Sequence, residues 1–296
     1  GVNFAVRGVT NPHIPINDGV YRPLELIIPK GSWLNAEHPS PRQHCTHETG
    51  HRVIDCVLGA FSKAVPKKVP AAMHGTSSIM VITGDSPQVE IPDTYMFFEC
   101  LAGGFGARPD KDGIDGIRTG VGNAINMPAE LVEAEFGLIT DKYELIIDSG
   151  GPGKYRGGCG MKRIMRLPVV ENIEAMCISS AERCVTSPYG LYGGKPGNKG
   201  NWYKNINKNN EKKLKGKNNT KINGGETYAA CSPGGGGWGN PLERNPNLVM
   251  EDFLNEKISL RGAKNDYGII FKNKNKEIDW DKTKELRKLK NIKNKI

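Results

Sequence analysis

Glycine constrains the fold of this chain more than any other feature of its sequence. Of its 296 residues, 37 are glycine, and many of them fall in three short segments, residues 103–106, 148–160 and 232–239. Glycine permits backbone angles and close approaches that a Cβ atom forbids, although fixing it costs more chain entropy than fixing other residues. We therefore predict that these segments supply turns or close backbone contacts, and for each segment alone we favour structural turns.

None of the glycine segments matches a known nucleotide-binding or hydrolase loop. Free backbone amides can cradle a phosphate, but no Gly-Lys-Ser/Thr closes a four-residue gap as the Walker pattern requires. The glycines at 151, 153 and 158 lack the dinucleotide-binding spacing. A GxSxG sequence is also missing, which argues against serine hydrolase chemistry of the α/β-hydrolase type.

Hydrophobic periodicity predicts a mixed fold with more strands than helices. A helix is predicted over residues 44–65, where Pro66 stops it, and shorter helices over 128–136 and 247–256. Strand patterns occupy residues 24–28, 79–83, 95–101, 143–147, 162–169 and 174–179. Because the helices do not alternate strictly with the strands, we expect a strand-rich α+β fold with glycine-rich loops rather than a doubly wound sheet.

The net charge of +9 comes from two segments. Residues 195–221 hold nine lysines and one acid, and residues 272–295 hold ten basic residues and four acids, which leaves 22 basic and 27 acidic residues elsewhere. Both segments are rich in Lys and Asn with few aromatic residues, and they lack the interleaving of arginine and aromatic residues that favours base contact and stacking. We predict a solvated Lys/Asn-rich loop over 195–225 and a lysine-rich tail over 271–296, after one domain over 1–270, and we expect no nucleic-acid partner.

The composition also indicates the cellular compartment in which we expect the protein. No apolar run approaches the roughly 18 to 20 residues that span a bilayer, so we expect no membrane association. The seven cysteines form no CxxC pair, and reduced thiols in the cytoplasm explain them best. The first residue is Gly1 and no signal peptide follows, so we expect that a start codon or an upstream region is missing.

The sharpest short motif is His47-Glu-Thr-Gly-His51, which fits the HExxH zinc-peptidase pattern on the predicted helix. Two histidines four residues apart can share one helical face, with Glu48 activating a zinc-bound water. A glycine inside the motif, a charged Arg52 directly after it and the lack of any histidine beyond His74 argue against zinc. The third ligand would have to be an acid such as Asp55, and a metallopeptidase stays an alternative.

Polar residues between glycines offer a second set of candidates. Arg108, Asp110 and Asp115 lie in one loop, and the amide donors Asn123 and Asn126 follow soon afterwards. Such a loop can orient an amide or a carboxylate through charge-assisted hydrogen bonds. Asp-Gly pairs that only form turns explain the same residues.

Six motifs in order resemble the hydantoinase B/oxoprolinase family. They occupy residues 17–25, 47–60, 103–110, 112–116, 148–158 and 232–241, and the resemblance extends over about residues 15–270. At the helix start the family shows a Glu-Thr pair followed by a polar residue, Arg and Val. Glu48, Thr49, Arg52 and Val53 are therefore the familial residues, and His47 and His51 look incidental.

The resemblance implies a partner-dependent enzyme. In this family an A-type subunit with an actin-like ATPase fold holds the ATP and phosphorylates the substrate carbonyl. The B-type subunit then completes ring opening of a hydantoin or oxoproline-like lactam or, in acetone and acetophenone carboxylases, carboxylates an enol phosphate derived from a ketone. An unactivated lactam is a poor electrophile, so prior phosphorylation makes chemical sense.

The resemblance also implies that this chain is the carboxyl-terminal portion of a B-type subunit. Family members are about twice as long, and their metal-associated His and Asp motifs lie in an amino-terminal half without a counterpart here. We therefore expect a fragment or a split gene that binds no metal or cofactor itself, and a noncatalytic remnant stays an alternative. The residues predicted to act in catalysis are Glu48, Arg52, Arg108, Asp110 and Asp115, and those predicted to bind substrate are Asn123, Asn126 and Arg156.

Overall fold

Antiparallel β-sheets form the centre of the computed structural model, which describes residues 1–41, 45–85, 94–273 and 277–293. The strands are β1 (Ile79–Asp85), β2 (Thr94–Cys100), β3 (Ile139–Leu145), β4 (Met161–Arg166), β5 (Glu174–Ser180), β6 (Asn201–Lys204), β7 (Lys212–Leu214), β8 (Lys217–Asn223), β9 (Thr227–Cys231), β10 (Phe271–Lys272) and β11 (Glu277–Ile278). One sheet has the order β2-β1-β5-β8, a second has the order β3-β4-β9-β6-β7, and β10 pairs with β11.

The two large sheets share one hydrophobic core. In β2 the side chains alternate, so that Tyr95 and Phe97 are buried while Met96 and Phe98 are exposed. This is the period-two pattern of a strand with one buried face. Strands of both sheets contribute the large core residues, among them Met80, Ile82, Phe97, Met165, Trp202, Ile222 and Tyr228. Burial of this apolar surface is the main force that holds the sheets together.

The helices lie around this core. They are α1 (Val2–Val9), α2 (Asp18–Tyr21), α3 (Gly50–Phe61), α4 (Ala129–Phe136), α5 (Pro246–Leu254), α6 (Leu260–Asn265) and α7 (Trp280–Lys293), with a π-helical turn at Cys45–Thr49 and 3-10 turns at Pro66–Lys68 and Pro241–Glu243. Helices α1 and α3 pack through Ala5, Val9, Ile54 and Leu58 into a second core. A third core surrounds Val249 and Tyr267 near the carboxyl end.

The glycine segments are extended chains packed against one another. The N–H of Gly104 donates to the carbonyl of Pro233 at 3.0 Å, and the N–H of Gly235 donates to that of Gly158 at 2.9 Å. A Cβ atom on Gly104 would lie only 1.9 Å from the Gly158 carbonyl oxygen. Among the glycines of the three segments, all described, only Gly239 has a positive φ. Close backbone approach is thus confirmed, and the second segment also begins in a turn, where the N–H of Ser149 donates to the Ile146 carbonyl oxygen at 3.3 Å.

Most of the predicted elements are present. The α+β class is confirmed, with seven helices and eleven strands among the described residues. The predicted long helix is divided into the π-helical turn and α3, and it ends at Phe61, before Pro66. Its predicted start at residue 44 lies outside the described residues. The strand predicted over 24–28 is wrong, because those residues form no regular structure.

The predicted Lys/Asn-rich loop over 195–225 is also wrong. This segment forms β6, β7 and β8, of which β7 and β8 are edge strands of the two sheets. Lysines on edge strands discourage pairing with other chains, and Lys217 and Lys221 instead form ion pairs with Glu182 and Glu174. The lysine-rich composition therefore marks sheet edges.

The described part of the predicted tail over 271–296 is ordered as well. It forms β10, β11 and α7, and Thr283 is buried. The guanidinium of Arg287 donates to the carbonyl oxygens of Tyr267 at 2.9 Å and Arg244 at 2.8 Å. The helix is thus attached to the body, while residues 274–276 and 294–296 lie outside the described residues. In the part of the chain that the structure covers, no helix has the length and apolarity needed to cross a bilayer.

Candidate functional site

A buried polar cluster lies where the π-helical turn meets α3. The turn carries Glu48, and α3 continues with His51, Arg52 and Asp55 on its inner side. Turns of π-helix occur frequently at functional sites, because the inserted residue re-aims neighbouring side chains. Facing them is the segment 73–78 (Met-His-Gly-Thr-Ser-Ser), which is almost fully buried although most of its residues are polar.

Glu48 is a buried acid of this cluster whose pKa is raised. Its side chain is only 4% exposed, and its Oε1 accepts hydrogen bonds from the Thr76 hydroxyl at 3.0 Å and the Ser77 N–H at 3.3 Å. Its Oε2 is buried without a hydrogen-bond partner among the described residues. Burial raises the pKa of Glu48 to about 7, against the opposing effect of those hydrogen bonds. A carboxyl group of this kind can both donate and accept a proton near neutral pH.

Two neutral histidines lie in the same cluster. Burial, with the positive charges of Arg118 and Arg52, lowers the pKa of His51 to about 4. Burial lowers the pKa of His74 to about 3. The Thr119 hydroxyl lies 2.9 Å from Nδ1 of His51, and Nδ1 of His74 lies 3.2 Å from the Gly104 carbonyl oxygen. Both rings are thus neutral at pH 7 and can serve as hydrogen-bonding groups rather than as cations.

Arginine and aspartate side chains complete the cluster. Arg183 Nη2 lies 2.6 Å from Asp55 Oδ2, and Arg52 Nη2 lies 3.4 Å from the same oxygen. The guanidinium of Arg52 also donates to the Gly75 carbonyl oxygen. Arg118 Nη2 donates to the Ser77 hydroxyl at 2.9 Å. The bond of Arg52 fixes the segment 73–78 against α3, and Arg52 and Arg118 bring positive charge close to both histidines.

The HExxH motif does not form a metal site in the described residues. The structure buries His51 beside Thr119, and Nδ1 of His47 lies 3.5 Å from the Ser77 hydroxyl. Within residues 1–41, 45–85, 94–273 and 277–293, no three His, Cys, Asp or Glu side chains are grouped to hold a metal ion. Zinc binding at this motif has no third ligand, since the expected Asp55 pairs with two arginines.

Arg108 and Asp110 lie elsewhere, on the rim of a surface pocket of about 490 Å³. Phe4, Leu58 and Met73 provide apolar walls of this pocket. The cations at its rim are Lys67, Lys68, Arg108 and Lys111. None of these four forms an ion pair with a described residue, so their charges are free to attract an anion. Its volume lies in the range of small-molecule sites.

Asp115 and Arg156 belong to a buried ion network. Arg156 Nη1 lies 3.0 Å from Asp115 Oδ1, and Arg156 Nε lies 3.2 Å from Asp252 Oδ1. Arg244 binds Asp112 through two bonds of 2.6 and 2.7 Å and Asp252 through one of 2.6 Å. The network joins the glycine segments to the carboxyl-terminal helices. It stabilises the fold, and a substrate contact of Arg156 stays a prediction.

The charge of Asp115 is stabilised by this network. Burial alone would raise its pKa, but Arg156, the Cys159 N–H at 2.7 Å and Lys257 at 3.0 Å lower the pKa to about 2. An acid held ionised in this way is a poor proton donor at neutral pH. The contacts of Asp115 are explained by the ion network, and its catalytic role stays a prediction.

The two asparagines differ. Asn126 donates from Nδ2 to the Cys100 carbonyl oxygen at 3.1 Å, and its Oδ1 accepts from the Tyr143 hydroxyl. Asn123 is exposed on the same loop. Asn126 therefore has a positioning role in the loop, while Asn123 has its amide available to a ligand.

The structure thus distributes the predicted residues over different places. It brings together Glu48 and Arg52, and it places Arg108 with Asp110, but Asp115 and Arg156 lie in the ion network. Sequence analysis missed several members of the buried cluster, namely His74, Thr76, Ser77, Arg118, Thr119 and Arg183. The polar run at 74–78 directly before β1 was a usable signal, because polar residues next to a core strand must find partners.

All seven cysteines are among the described residues, and all are free thiols, as predicted. Burial raises the pKa of Cys159 and that of Cys231, each to about 11. Neither thiol is therefore ionised enough at neutral pH to act as a nucleophile.

Comparison with known proteins gives a consistent result. A family model described as hydantoinase B/oxoprolinase matches residues 1–241. An uncharacterized protein of Methanocaldococcus jannaschii is 36% identical over 290 residues, which cover 97% of this chain and 49% of that protein. A putative D-/L-hydantoinase B-type subunit of a Pseudomonas species is 32% identical over 282 residues, which cover 94% of this chain and 45% of that protein.

A solved structure shows the same fold. The crystal structure of ATP-dependent caprolactamase from Pseudomonas jessenii superposes with a TM-score of 0.83 at 25% identity, and the match covers 97% of this chain and 50% of that chain. The chain spans about half the length of the curated relatives it matches.

Proposed function

The chain belongs to the hydantoinase B/oxoprolinase family, and from this membership we propose that it is part of a B-type subunit of an ATP-dependent hydrolase of cyclic amides. Relatives named as a B-type hydantoinase subunit and a caprolactamase support a lactam-like substrate. In the proposed reaction, ATP, two water molecules and the cyclic amide give ADP, phosphate and the ring-opened amino acid. We place this reaction in the cytoplasm.

ATP is assigned to an A-type partner subunit. In this chain most of the glycine amides that could cradle a phosphate already donate to other backbone carbonyl oxygens, as Gly104 and Gly235 do. Their N–H groups are therefore not free for an anion. A divalent metal is assigned to the half of the subunit that this chain does not match, since the described His, Cys, Asp and Glu side chains do not form a metal site.

Buried Glu48 is the observation that carries the proposal. When the ring C–N bond breaks, the leaving nitrogen needs a proton, and a carboxyl group with a pKa of about 7 can supply it. Its unpartnered Oε2 is the atom that would hold this proton. Arg52 maintains the wall beside Glu48 through its bond to the Gly75 carbonyl.

The pocket with Arg108 and Asp110 is proposed to hold the polar end of the substrate. Its free cations suit a phosphorylated carbonyl or a substrate carboxylate, and its apolar walls suit the carbon skeleton of a lactam ring. Arg108 would bind the anion and Asp110 an N–H group of the ring.

The test uses the chain assembled in the complete complex with an A-type subunit. ADP release and ring-opened product are measured together for the wild type, Glu48→Gln and Arg108→Ala. We expect Glu48→Gln to lower product formation at least 100-fold, and Arg108→Ala to raise KM for the substrate about tenfold or more. The control Lys213→Ala changes an exposed lysine of β7 and should leave both rates unchanged.

Three results would contradict the proposal. Unchanged product formation in Glu48→Gln would remove the proton-transfer role. ATP consumption that depends on bicarbonate would indicate a carboxylase instead. A complex that assembles with this chain but gains no activity from it would identify a noncatalytic remnant.

A further inference from the structure

An unusual concentration of exposed apolar side chains lies in residues 14–34. Ile27 is 85% exposed and Trp33 is 66% exposed, and Leu26, Leu34 and Tyr21 are also largely accessible. Single exposed apolar residues are normal, but a contiguous patch of this kind marks an interaction site.

These side chains form one wall of a groove of about 670 Å³. The opposite wall consists of Val2 of α1 and of Val53 and Val57 of α3. The lining is predominantly apolar, and the described residues 24–29 on its rim form no regular structure of their own.

The groove continues to the candidate site. Cys45 and Thr49 also line it, and both belong to the π-helical turn that carries Glu48. A polypeptide bound in the groove would therefore contact the π-helical turn. Glu48 is buried in the interior side of that turn, so the docked body would lie beside the group assigned to proton transfer.

We propose that this groove binds the half of the B-type fold that the relatives have and that this chain does not match. The matched region covers 49% of the Methanocaldococcus jannaschii protein and 50% of the caprolactamase chain. A body as large as this chain must therefore find a surface on it, and a stable interface of that kind needs an apolar core. The proposal rests on family membership and not on the reaction, and it holds whether the two halves are joined in one polypeptide or are separate.

A second copy of this chain is the competing occupant, but the geometry favours the other half. A symmetric dimer would pair the groove with itself, which places two concave apolar walls face to face. A different body with a protruding apolar segment fills the groove and reaches the π-helical turn at the same time.

Binding between two purified polypeptides tests the proposal. One is this 296-residue chain, and the probe is the half of the Methanocaldococcus jannaschii relative that lies outside the matched region, produced separately. The Kd is measured by calorimetry, and the mass of the complex by light scattering. We expect a one-to-one complex, whose Kd rises at least tenfold in Ile27→Glu and in Trp33→Glu.

The matched control is Val185→Glu. Val185 is 81% exposed, nearly as much as Ile27, but it lies after β5 and outside the groove, so its variant should bind like the wild type. Circular dichroism and thermal unfolding establish that each variant is folded. Binding that the groove variants leave unchanged, no complex with the wild type, or dimers of this chain that Ile27→Glu dissociates would each overturn the proposal. Since no turnover is measured, failure here is distinguishable from failure of the proposed function.

Discussion

Replacing Glu48 by glutamine should change how the stability of this protein depends on pH. In the folded chain burial raises the pKa of Glu48 from its usual 4.5 to about 7. A folded-state pKa above the unfolded one means that the native state binds the proton more tightly. The stabilising contribution is therefore present at low pH and is lost as pH rises from about 4.5 to about 7.

The magnitude follows from the size of the shift. Each pKa unit corresponds to about 1.36 kcal/mol, and between pH 5 and pH 8 the linkage relation gives a loss of about 2 to 3 kcal/mol in the free energy of unfolding. Glutamine keeps a carbonyl oxygen that can accept the bonds from Thr76 and Ser77 but cannot ionise. The variant should therefore lack this loss.

His51 and His74 act in the opposite direction. Their lowered pKa values mean that they cost stability as pH falls below about 6.5, where the unfolded chain takes up protons that the buried rings cannot. They contribute equally to the wild type and to Glu48→Gln. Only the difference between the two proteins therefore isolates Glu48.

Urea unfolding at pH 5 and pH 8 measures this difference. Glu48→Gln should become more stable relative to the wild type by about 2 to 3 kcal/mol on going from pH 5 to pH 8. The control Glu174→Gln alters a side chain that is 59% exposed and paired with Lys221, and its difference from the wild type should be small at both pH values. A wild-type minus Glu48→Gln difference that is the same at pH 5 and pH 8 would refute the buried-acid interpretation.

Other predictions concern the framework that holds the site. Arg244→Ala should lower the free energy of unfolding, measured in urea, by about 3 to 5 kcal/mol, because it leaves buried carboxylates unpaired. The control Lys217→Ala removes an exposed ion pair worth about 0 to 1 kcal/mol. Equal losses in the two variants would contradict the stabilising role of the ion network. Gly104→Ala should cost at least about 1 to 3 kcal/mol or prevent folding, because its Cβ would meet backbone atoms at 1.9 and 2.3 Å. Gly8→Ala has no heavy atom within 4 Å of its Cβ and should fold normally. Trp202→Ala should lower the free energy of unfolding by about 3 to 5 kcal/mol, since this side chain is fully buried between the sheets, and a melting temperature within a degree of wild type would argue against that packing.

Short-range patterns in the sequence were sufficient for the regular elements of the core. The strand-like run at 95–101 predicted β2, and the helical spacing after residue 50 predicted α3, whose periodicity reflects which face of the helix is buried. The lysine-rich segment at 195–225 misled the same reasoning, since edge strands carry the composition of a solvated loop.

The candidate site was less accessible to sequence reasoning. Glu48 and Arg52 were identified through the ordered motifs, but neither their depth of burial nor the polar wall at 74–78 follows from local pattern. The pKa of Glu48 depends on burial, which raises it, and on hydrogen bonds from Thr76 and Ser77, 28 and 29 positions away, which lower it. Asp115 and Arg156 looked like site residues because charged groups between glycines suit a ligand equally well as an ion network.

The sequence by itself determined the family and the α+β class, because each of these depends on residue identity at fixed spacing, and it limited the glycine segments to turns or close backbone contacts. Only the tertiary structure decided that these segments pack against one another, since the backbone hydrogen bonds from Gly104 to Pro233 and from Gly235 to Gly158 join positions far apart in the chain. A glycine in the sequence indicates that a Cβ atom is not tolerated at that position. The neighbouring atoms that exclude the Cβ atom are defined only when the chain has folded.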